Sequence, residues 1–491
     1  MTRNMKKSLS EIIKCLKPLQ VVGDGNVLIH DVICDSRKAT EGVLFVAING
    51  VAVDAHKFIP DVVAAGAAAI VCETLPTDLA PSTTYVVVKN TTIALPLIAD
   101  QWFDHPSRQL RLVGVTGTNG KTSTATLLYT MAEMMGFKAG LISTVQNIVH
   151  RTACDAKQTT PDPLSLQRLL HEMVEAGCEY AFMEVSSHSS VQHRIDGLHF
   201  AGGIFTNLTR DHLDFHKTVD NYINAKKAFF DMLPAEAFAI TNIDDKQGMT
   251  MVQNTKAKVL TYSLRALADF KCLLVESQLN HTSLNINGRD VEVQFTGRFN
   301  AYNLTAVYGA AVSLGWDPED VLVKLSMLVP VAGRFQTFRS KRGYTAVVDY
   351  AHTPDALENV LGSIREVIGN KGNIITVVGC GGNRDAGKRP IMARDAANAS
   401  NRVVLTSDNP RFEDPEDILS QMMAGLDAEQ MSRTVKITDR REAIRMACML
   451  AGAGDVVLVA GKGHETYQEV CGVKHHFDDS EELQKIFETE I

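Results

Sequence analysis

Residues 116–122 read Thr-Gly-Thr-Asn-Gly-Lys-Thr, between a short apolar run at 111–115 and a helical pattern over 122–135. Glycines in such a loop let backbone N–H groups approach phosphates, and the following helix N-terminus adds a favourable field. Lys121 would reach the β- and γ-phosphates, and the Thr122 hydroxyl would sit on Mg²⁺. The first glycine of the usual pattern is replaced by Val115. Gly-Lys-Thr in a strand–loop–helix setting still reads as nucleotide phosphate binding, here by Thr116, Gly117, Thr118, Asn119, Gly120, Lys121 and Thr122.

A second group follows strands predicted at 180–185 and 203–208. Glu184 stands before Ser186, Ser187 and His188, and Asp211-His-Leu-Asp214 follows Thr206-Asn207. His212 and His216 share i, i+4 spacing, which read alone suggests zinc. No HExxH is present, and a phosphate loop calls for a harder, oxygen-preferring ion. Three readings stay open: zinc, histidines without metal, and magnesium at Glu184 and His212. Lys226 lies on an amphipathic helical stretch, where a lysine is ordinarily a solvated charge.

Four further polar clusters each follow a Val/Ile-rich run: Asp349-Tyr-Ala-His352, 379–384, Ser407-Asp-Asn-Pro-Arg411 and Gly461-Lys-Gly-His-Glu465. In open α/β sheets ligands bind beyond the carboxyl ends of the strands, so these clusters predict half of an active site. Arg384, Asp408, Asn409 and Arg411 can clamp a zwitterion, because arginine pairs bidentately with carboxylate while aspartate takes an ammonium. The bland alternative is a surface turn at Asp-Asn-Pro. Gly297-Arg-Phe-Asn300 with Asn303 reads as a helix entry, with capping as its plain role. No nucleophile elbow or Cys–His pair occurs, so activation of a substrate by ATP is simpler than covalent catalysis by the protein.

These groups need scaffolds. The 491 residues suggest about three domains at roughly 100–200 residues each. Alternating strands and helices predict α/β units with mostly parallel sheets. Residues 284–286 and 291–295 around Asn287-Gly288 predict a hairpin with a type I′ turn. Strands are expected at 43–48, 85–88, 238–242, 345–348, 373–378, 402–406 and 455–460, and an alanine-rich helix near 60–68. Composition is ordinary for a globular chain, with 45% hydrophobic and 22% charged residues. Nine singly scattered cysteines without a CxxC pair argue against a disulfide framework and a zinc ribbon, and fit a reducing cytoplasm. The longest apolar run, 62–72, is too short for a membrane span, and Ser8-Leu-Ser-Glu11 reads as a helix cap rather than a signal peptide. A net charge of −8 excludes a generic nucleic-acid surface but not pockets for small anions.

The succession of 116–122, Thr159-Thr-Pro161, Glu184-Val-Ser-Ser-His188, Thr206-Asn-Leu-Thr-Arg-Asp-His-Leu-Asp214, Gly297-Arg-Phe-Asn300, Asp349-Tyr-Ala-His-Thr-Pro354 and Gly461–Glu465 resembles the Mur ligases of peptidoglycan synthesis, along essentially the entire chain. Asp408-Asn-Pro-Arg411 is similar to the signature of members that add meso-diaminopimelate as the third stem-peptide residue. The resemblance implies three domains: an N-terminal UDP-binding α/β unit (1–110), a central P-loop ATPase unit (111–333) and a C-terminal Rossmann-like unit (334–491). It implies ATP-dependent joining of UDP-N-acetylmuramoyl-L-alanyl-D-glutamate to the amino acid through an acyl phosphate, in the cytoplasm, by a monomer. Ser36 would contact the uridine end, and Thr159, Thr160, Ser186, Gln192 and Arg194 the muramoyl-dipeptide. Asn303, Arg334, Asp349 and His352 would lie near the nucleotide. Arg384, Asp408, Asn409, Pro410, Arg411, Gly461 and Glu465 would form the diaminopimelate pocket. Lys226 matches a lysine carbamylated in the family, and as a carbamate it would hold a second Mg²⁺ beside His212, with Thr122 and Glu184 serving the first. Gln336 departs from the usual Gly-Arg-x-Glu, so no carboxylate stands there. Ligases of the folylpolyglutamate synthase type, members adding L-lysine, and a non-catalytic ATP-binding relative are the competing readings.

Overall fold

The computed structural model describes residues 5–50, 53–156, 158–209 and 211–490, without the side chains of Leu213 and Asp214. Residues 1–4 at the basic start, Arg210 of the 206–214 motif and the Asp214 side chain lie outside the described part. Among the described residues the chain builds three large sheets of five, eleven and six strands.

The five-stranded sheet runs Gln20–Val22, Thr84–Val87, Ala69–Cys72, Val43–Val46, Asp31–Ile33, parallel except for its first pair. The predicted alanine-rich helix is shorter than expected, Ile59–Ala64, because Gly66 turns the chain and the rest of the apolar run enters the strand Ala69–Cys72. The capped N-terminal helix spans Leu9–Ile13, with the Ser8 hydroxyl accepting from the Glu11 N–H.

In the central sheet Ala139–Ile142, Tyr180–Glu184, Arg111–Thr116, Gly202–Phe205, Phe238–Asn242, Lys258–Ser263 and Phe270–Ser277 are parallel neighbours. Antiparallel strands flank them. One flank is the predicted hairpin, Thr282–Ile286 and Arg289–Val293, with Asn287 and Gly288 both at positive φ as a type I′ turn requires. Helices cover both faces, so the inner strands are buried on each side. Gly114 decides how close one helix comes. A Cβ there would lie 2.5 Å from Phe229 Cζ, so the bare glycine admits that ring from the helix Val219–Asp231. The fully buried ring contributes roughly 2–3 kcal/mol of burial and seats the helix that carries Lys226 against the strand leading to the glycine loop.

The six-stranded sheet runs Gln336–Arg339, Thr345–Asp349, Val456–Ala460, Ile374–Val378, Arg402–Leu405, Thr434–Lys436, parallel after the first pair. Here the last strand of the sequence pattern is inserted between the first two, so the clusters at 349–352, 461–465, 379–384 and 407–411 sit on adjacent strand ends. All nine cysteines are free thiols. No helix among the described residues is long and apolar enough to cross a membrane.

Candidate active site

Three neighbouring strand ends of the central sheet assemble the phosphate loop. Gly117 has φ 150°, and a Cβ there would run into the Thr206 hydroxyl, so only glycine lets the loop close on the strand beside it. The loop is then pinned from that side. Asn207 O accepts from Thr118 N at 2.8 Å and Asn207 Oδ1 from Asn119 N at 2.9 Å, while the Thr206 hydroxyl donates to Asn119 O at 2.6 Å. Tyr222, which the sequence did not single out, meets the Thr118 hydroxyl at 3.0 Å.

Lys121 donates to Gly117 O at 2.9 Å and Thr118 O at 2.8 Å. Lys226, 2% exposed rather than solvated, donates to the same Gly117 carbonyl at 2.6 Å and lies 4.7 Å from the Tyr222 ring centroid. Two ammonium groups thus share one carbonyl oxygen. Burial, and then the charge of Lys121, push the Lys226 ammonium well below the usual lysine range. Such a site is built for oxyanions.

Glu184 ends the next strand and is 1% exposed. Its two oxygens accept from Thr144, through the backbone N–H at 2.7 Å and the hydroxyl at 3.2 Å, and the same hydroxyl oxygen lies 3.1 Å from the Thr159 hydroxyl. Thr144 is a further residue the sequence did not single out. Thr160 donates to the Glu184 carbonyl at 2.8 Å and lies 3.3 Å from the Ser186 hydroxyl; Arg194 donates to Thr160 O at 2.7 Å and to Gln192. The residues assigned to the muramoyl-dipeptide therefore form one group, and Ser36, assigned to the uridine end, stands apart from it. Ser36 opens a turn in the five-stranded unit and makes no side-chain hydrogen bond to that group, although Cys34 beside it feels the charge of Asp162.

The histidines depart from the helical spacing. His212 has φ 53° and precedes the short helix Leu213–His216, so the pair does not lie on one continuous helix face. His188 packs against both, with ring centroids 5.0 Å from His212 and 5.5 Å from His216, and His216 meets the Ser187 hydroxyl at 2.9 Å. Among the described residues no three His, Cys, Asp or Glu side chains converge to cage a metal ion. The donors near the loop are the Thr122 hydroxyl and the Glu184 carboxylate. That set fits magnesium, which takes one or two protein oxygens and completes its shell with phosphate and water.

Between the central and C-terminal sheets lies a cavity of about 430 Å³, lined by Asn119 and Gly120, by Asn303 on the helix Arg298–Ser313, and by Arg334, Asp349 and His352. Arg334 donates to the Thr122 hydroxyl at 3.2 Å and stacks 4.5 Å from the Tyr350 ring centroid. Tyr350 in turn packs 5.0 Å from His464. Asp349 accepts from Phe335 N and Ala351 N at 2.7 and 2.8 Å; burial pushes its carboxyl up to about 6, with Arg334 opposing. Gln336 accepts from Gly333 N at 3.0 Å, a bond that an amide oxygen makes as well as a carboxylate. Asp355, also missed from sequence, joins the two units. One oxygen accepts from Asn119 at 2.8 Å, Thr209 at 2.9 Å and Asn359 at 3.2 Å.

The four clusters of the six-stranded sheet do converge. The Asp408 carboxylate lies over Gly461, where a Cβ would come within 2.6 Å of Oδ2. The 407–411 loop is held by the segment after 465: Gln468 donates to Asp408 O at 2.7 Å, and Arg411 N donates to Glu469 O at 3.0 Å. Pro410 leads into Arg411, which has φ 54° and turns its guanidinium to Gly382 O at 2.9 Å and to the Glu469 carboxylate at 3.5 Å. Arg411 is thus partly paired within the protein. Arg384 stands exposed at the rim. Asn409 donates to Glu465 at 2.8 Å. Of the charged groups here, the Arg411 guanidinium and the Glu469 carboxylate are already in contact.

The sequence profile described as Mur ligase family, catalytic domain matches residues 28–96, Mur ligase middle domain matches 115–311, and Mur ligase, glutamate ligase domain matches 333–463. The UDP-N-acetylmuramoyl-L-alanyl-D-glutamate–2,6-diaminopimelate ligase of Parabacteroides distasonis is 61% identical over 98% of this chain and 99% of its own. A solved structure of a ligase with that same name is 34% identical, with a TM-score of 0.71 over 99% of both chains. The MurF ligase of Thermotoga maritima, solved in complex with ADP, shares the fold at 19% identity and a TM-score of 0.61, over 93% of this chain and 97% of its own. With profiles spread over most of its length and such identity end to end, this chain belongs to the Mur ligase family.

Proposed function

We propose that this protein is the ATP-dependent ligase that joins meso-2,6-diaminopimelate to the D-glutamate of UDP-N-acetylmuramoyl-L-alanyl-D-glutamate, in the cytoplasm and as a monomer. The observation that carries this reading is the continuous path Thr122–Arg334–Tyr350–His464. It sets a phosphate loop and a zwitterion cluster on the two sides of one cleft. Identity along the full chain to a relative of that name supports the substrates, and the ADP complex of the MurF neighbour supports ATP. The division at 1–110, 111–333 and 334–491 is supported by the three separate sheets.

In this reading the γ-carboxylate of D-glutamate attacks the γ-phosphorus of ATP and ADP leaves. The amine of diaminopimelate then attacks the acyl carbon, loses a proton, and the resulting tetrahedral species expels phosphate. Phosphoryl transfer needs positioning and charge neutralisation more than covalent help. Lys121 leaves its own loop carbonyls for phosphate oxygens. Arg194, Thr160 and Ser186 hold the muramoyl-dipeptide, and Ser36 its uridine end. Asn303, Arg334, Asp349 and His352 hold the nucleotide. Arg384, Asp408, Asn409, Pro410, Arg411, Gly461 and Glu465 frame the incoming amino acid. Thr122 and Glu184 would hold one Mg²⁺ and His212 a second, and these ions when bound would supply charge neutralisation for the transferring phosphoryl group. In this reading Lys226 acts as its carbamate. Its buried, readily neutral amine is the form that adds carbon dioxide, forming a C–N bond and releasing a proton.

The test is product mass from purified protein with ATP, Mg²⁺ and UDP-muramoyl-dipeptide. Meso-diaminopimelate, LL-diaminopimelate, L-lysine and L-ornithine are offered in separate tubes. Product gaining diaminopimelate minus water, only with the meso isomer, is expected. Product only with lysine would overturn the specificity, and no product in any tube would overturn the ligase.

A further inference from the structure

Lys462 lies inside the 461–465 cluster, yet neither its motif nor the chemistry above gives it a task. Its side chain is fully buried. Nζ sits 3.2 Å from Asn409 Oδ1 and 3.4 Å from Glu465 Oε2, with the Tyr467 ring centroid 5.6 Å away. Asn409 closes the triangle by donating to Glu465 Oε2 at 2.8 Å, and its Oδ1 also accepts from Glu469 N at 2.9 Å. Both lone pairs of the Asn409 carbonyl and one of its N–H groups are therefore used inside the protein. Glu465 Oε2 carries two donors, whereas Oε1 has no donor among the described residues. This carboxylate is held by one oxygen and presents the other.

We propose that Lys462 is a positioning residue for the amine pocket: with Asn409 it fixes the Glu465 carboxylate so that Oε1 faces the substrate ammonium. The inference rests on the reading of Glu465 as part of the diaminopimelate pocket. It also changes the role of Asn409, from a contact with the amino acid to a strut beneath Glu465. Charge makes the arrangement necessary. Burial and the neighbouring Asp408 both favour the protonated form of Glu465, and Lys462 opposes them. Arg440 also lies within electrostatic reach of Glu465 and favours its ionised form, whereas the Tyr350 hydroxyl, pushed up to about 12, stays neutral where a carboxyl titrates. Without Lys462 the charge that opposes protonation of Glu465 is lost, and a protonated carboxyl offers less to an incoming ammonium.

The experiment compares Lys462→Met, Glu465→Gln and the double variant in steady-state kinetics with each substrate varied in turn. Lys462→Met is expected to raise KM for diaminopimelate on the order of 30-fold, with KM for ATP and for the UDP-linked substrate within about twofold of the parent. The acid limb of kcat/KM for diaminopimelate should move to higher pH, and Lys462→Met should add nothing once Glu465 is Gln. Plain loss of packing would shift all three KM values and leave the acid limb in place. If Glu465→Gln leaves KM for diaminopimelate unchanged, the pocket reading itself fails. If Glu465→Gln raises it while Lys462→Met does not, or adds its effect independently, the positioning role is overturned. Should Lys462→Met not fold, Asn409→Ala removes the 2.8 Å strut to the same oxygen. A rise in KM for diaminopimelate alone then supports the proposal, and an unchanged KM beside an impaired Glu465→Gln overturns it.

Discussion

The two ends of the cleft handle charge in opposite ways. At the glycine loop, Lys121 and Lys226 crowd onto one backbone carbonyl; burial and Lys121 push the Lys226 amine toward its neutral form, while Glu184 and Asp211 act on Lys121 from a distance, with no ion pair to either lysine among the described residues. At the other end Arg411 meets Glu469, and Lys462 meets Glu465, so the charges are matched before any ligand arrives. In the proposed reading the difference follows from what each end receives. A triphosphate brings its own negative charge and gains from an unpaired cationic site. A zwitterion brings no net charge, and must insert between groups that are already partnered. Selectivity at the amine end is therefore a matter of exchange between partners rather than of filling an empty charge.

Removing a cation from the glycine-loop end should do the most damage. Lys121→Met is expected to lower kcat by on the order of 10³-fold with KM for diaminopimelate unchanged, measured by phosphate release. A loss confined to KM for ATP would break the comparison, because it would make Lys121 a binding group only. At the matched end, Arg411→Ala should cost less. Part of its pairing is internal, so the loss in kcat/KM for diaminopimelate is expected to be about 30-fold, against the several kcal/mol that a wholly unpaired buried arginine would impose. Glu469→Gln sharpens the point: freeing the guanidinium should strengthen discrimination against lysine, which would leave it without a carboxylate, by roughly threefold to tenfold.

Between the two ends Asp349 gives a pH test. Its carboxyl titrates at about 6 in the folded protein against an ordinary 3.8, so the folded state binds the proton more tightly than the unfolded chain. Its contribution to stability is accordingly full below about pH 4 and declines as pH rises through 6. Melting curves of the parent and Asp349→Asn from pH 4 to 7 should show the parent losing ground relative to the variant by on the order of 2 kcal/mol. A parallel pair of curves would show that Asp349 does not titrate there. Smallest of all is Gln336→Glu, which keeps the acceptor for Gly333 N and should change kcat/KM by less than about threefold.

Much of this was legible in the residues. The Asn287-Gly288 turn and the Val/Ile-rich runs marked their elements because the physics behind them is local: positive φ in one case, burial on both faces in the other. The polar clusters after those runs marked the site for the same reason. What sequence could not supply was order in space. The insertion of Val456–Ala460 between Thr345–Asp349 and Ile374–Val378 brings 461–465 beside 349–352, and that depends on a long-range crossover. Buried lysines were equally invisible. Lys226 and Lys462 look like solvated charges in a helix and a loop, and only packing shows them enclosed. The i, i+4 spacing of His212 and His216 assumes one helix face, which the left-handed residue at 212 interrupts.

The three hydrogen bonds gathered on one Asp355 oxygen have a mechanical meaning. Two of their donors, Asn119 and Thr209, belong to loops of the central sheet, while Asp355 rides on the first turn of the helix Pro354–Ile368 beside the six-stranded one. Any swing that parts the two units must pull this carboxylate away from the glycine loop and leave Asn119 to water. The Asp355 contact and the glycine loop are thus coupled, and amide exchange at residues 117–120 becomes a clock for how often the cleft opens.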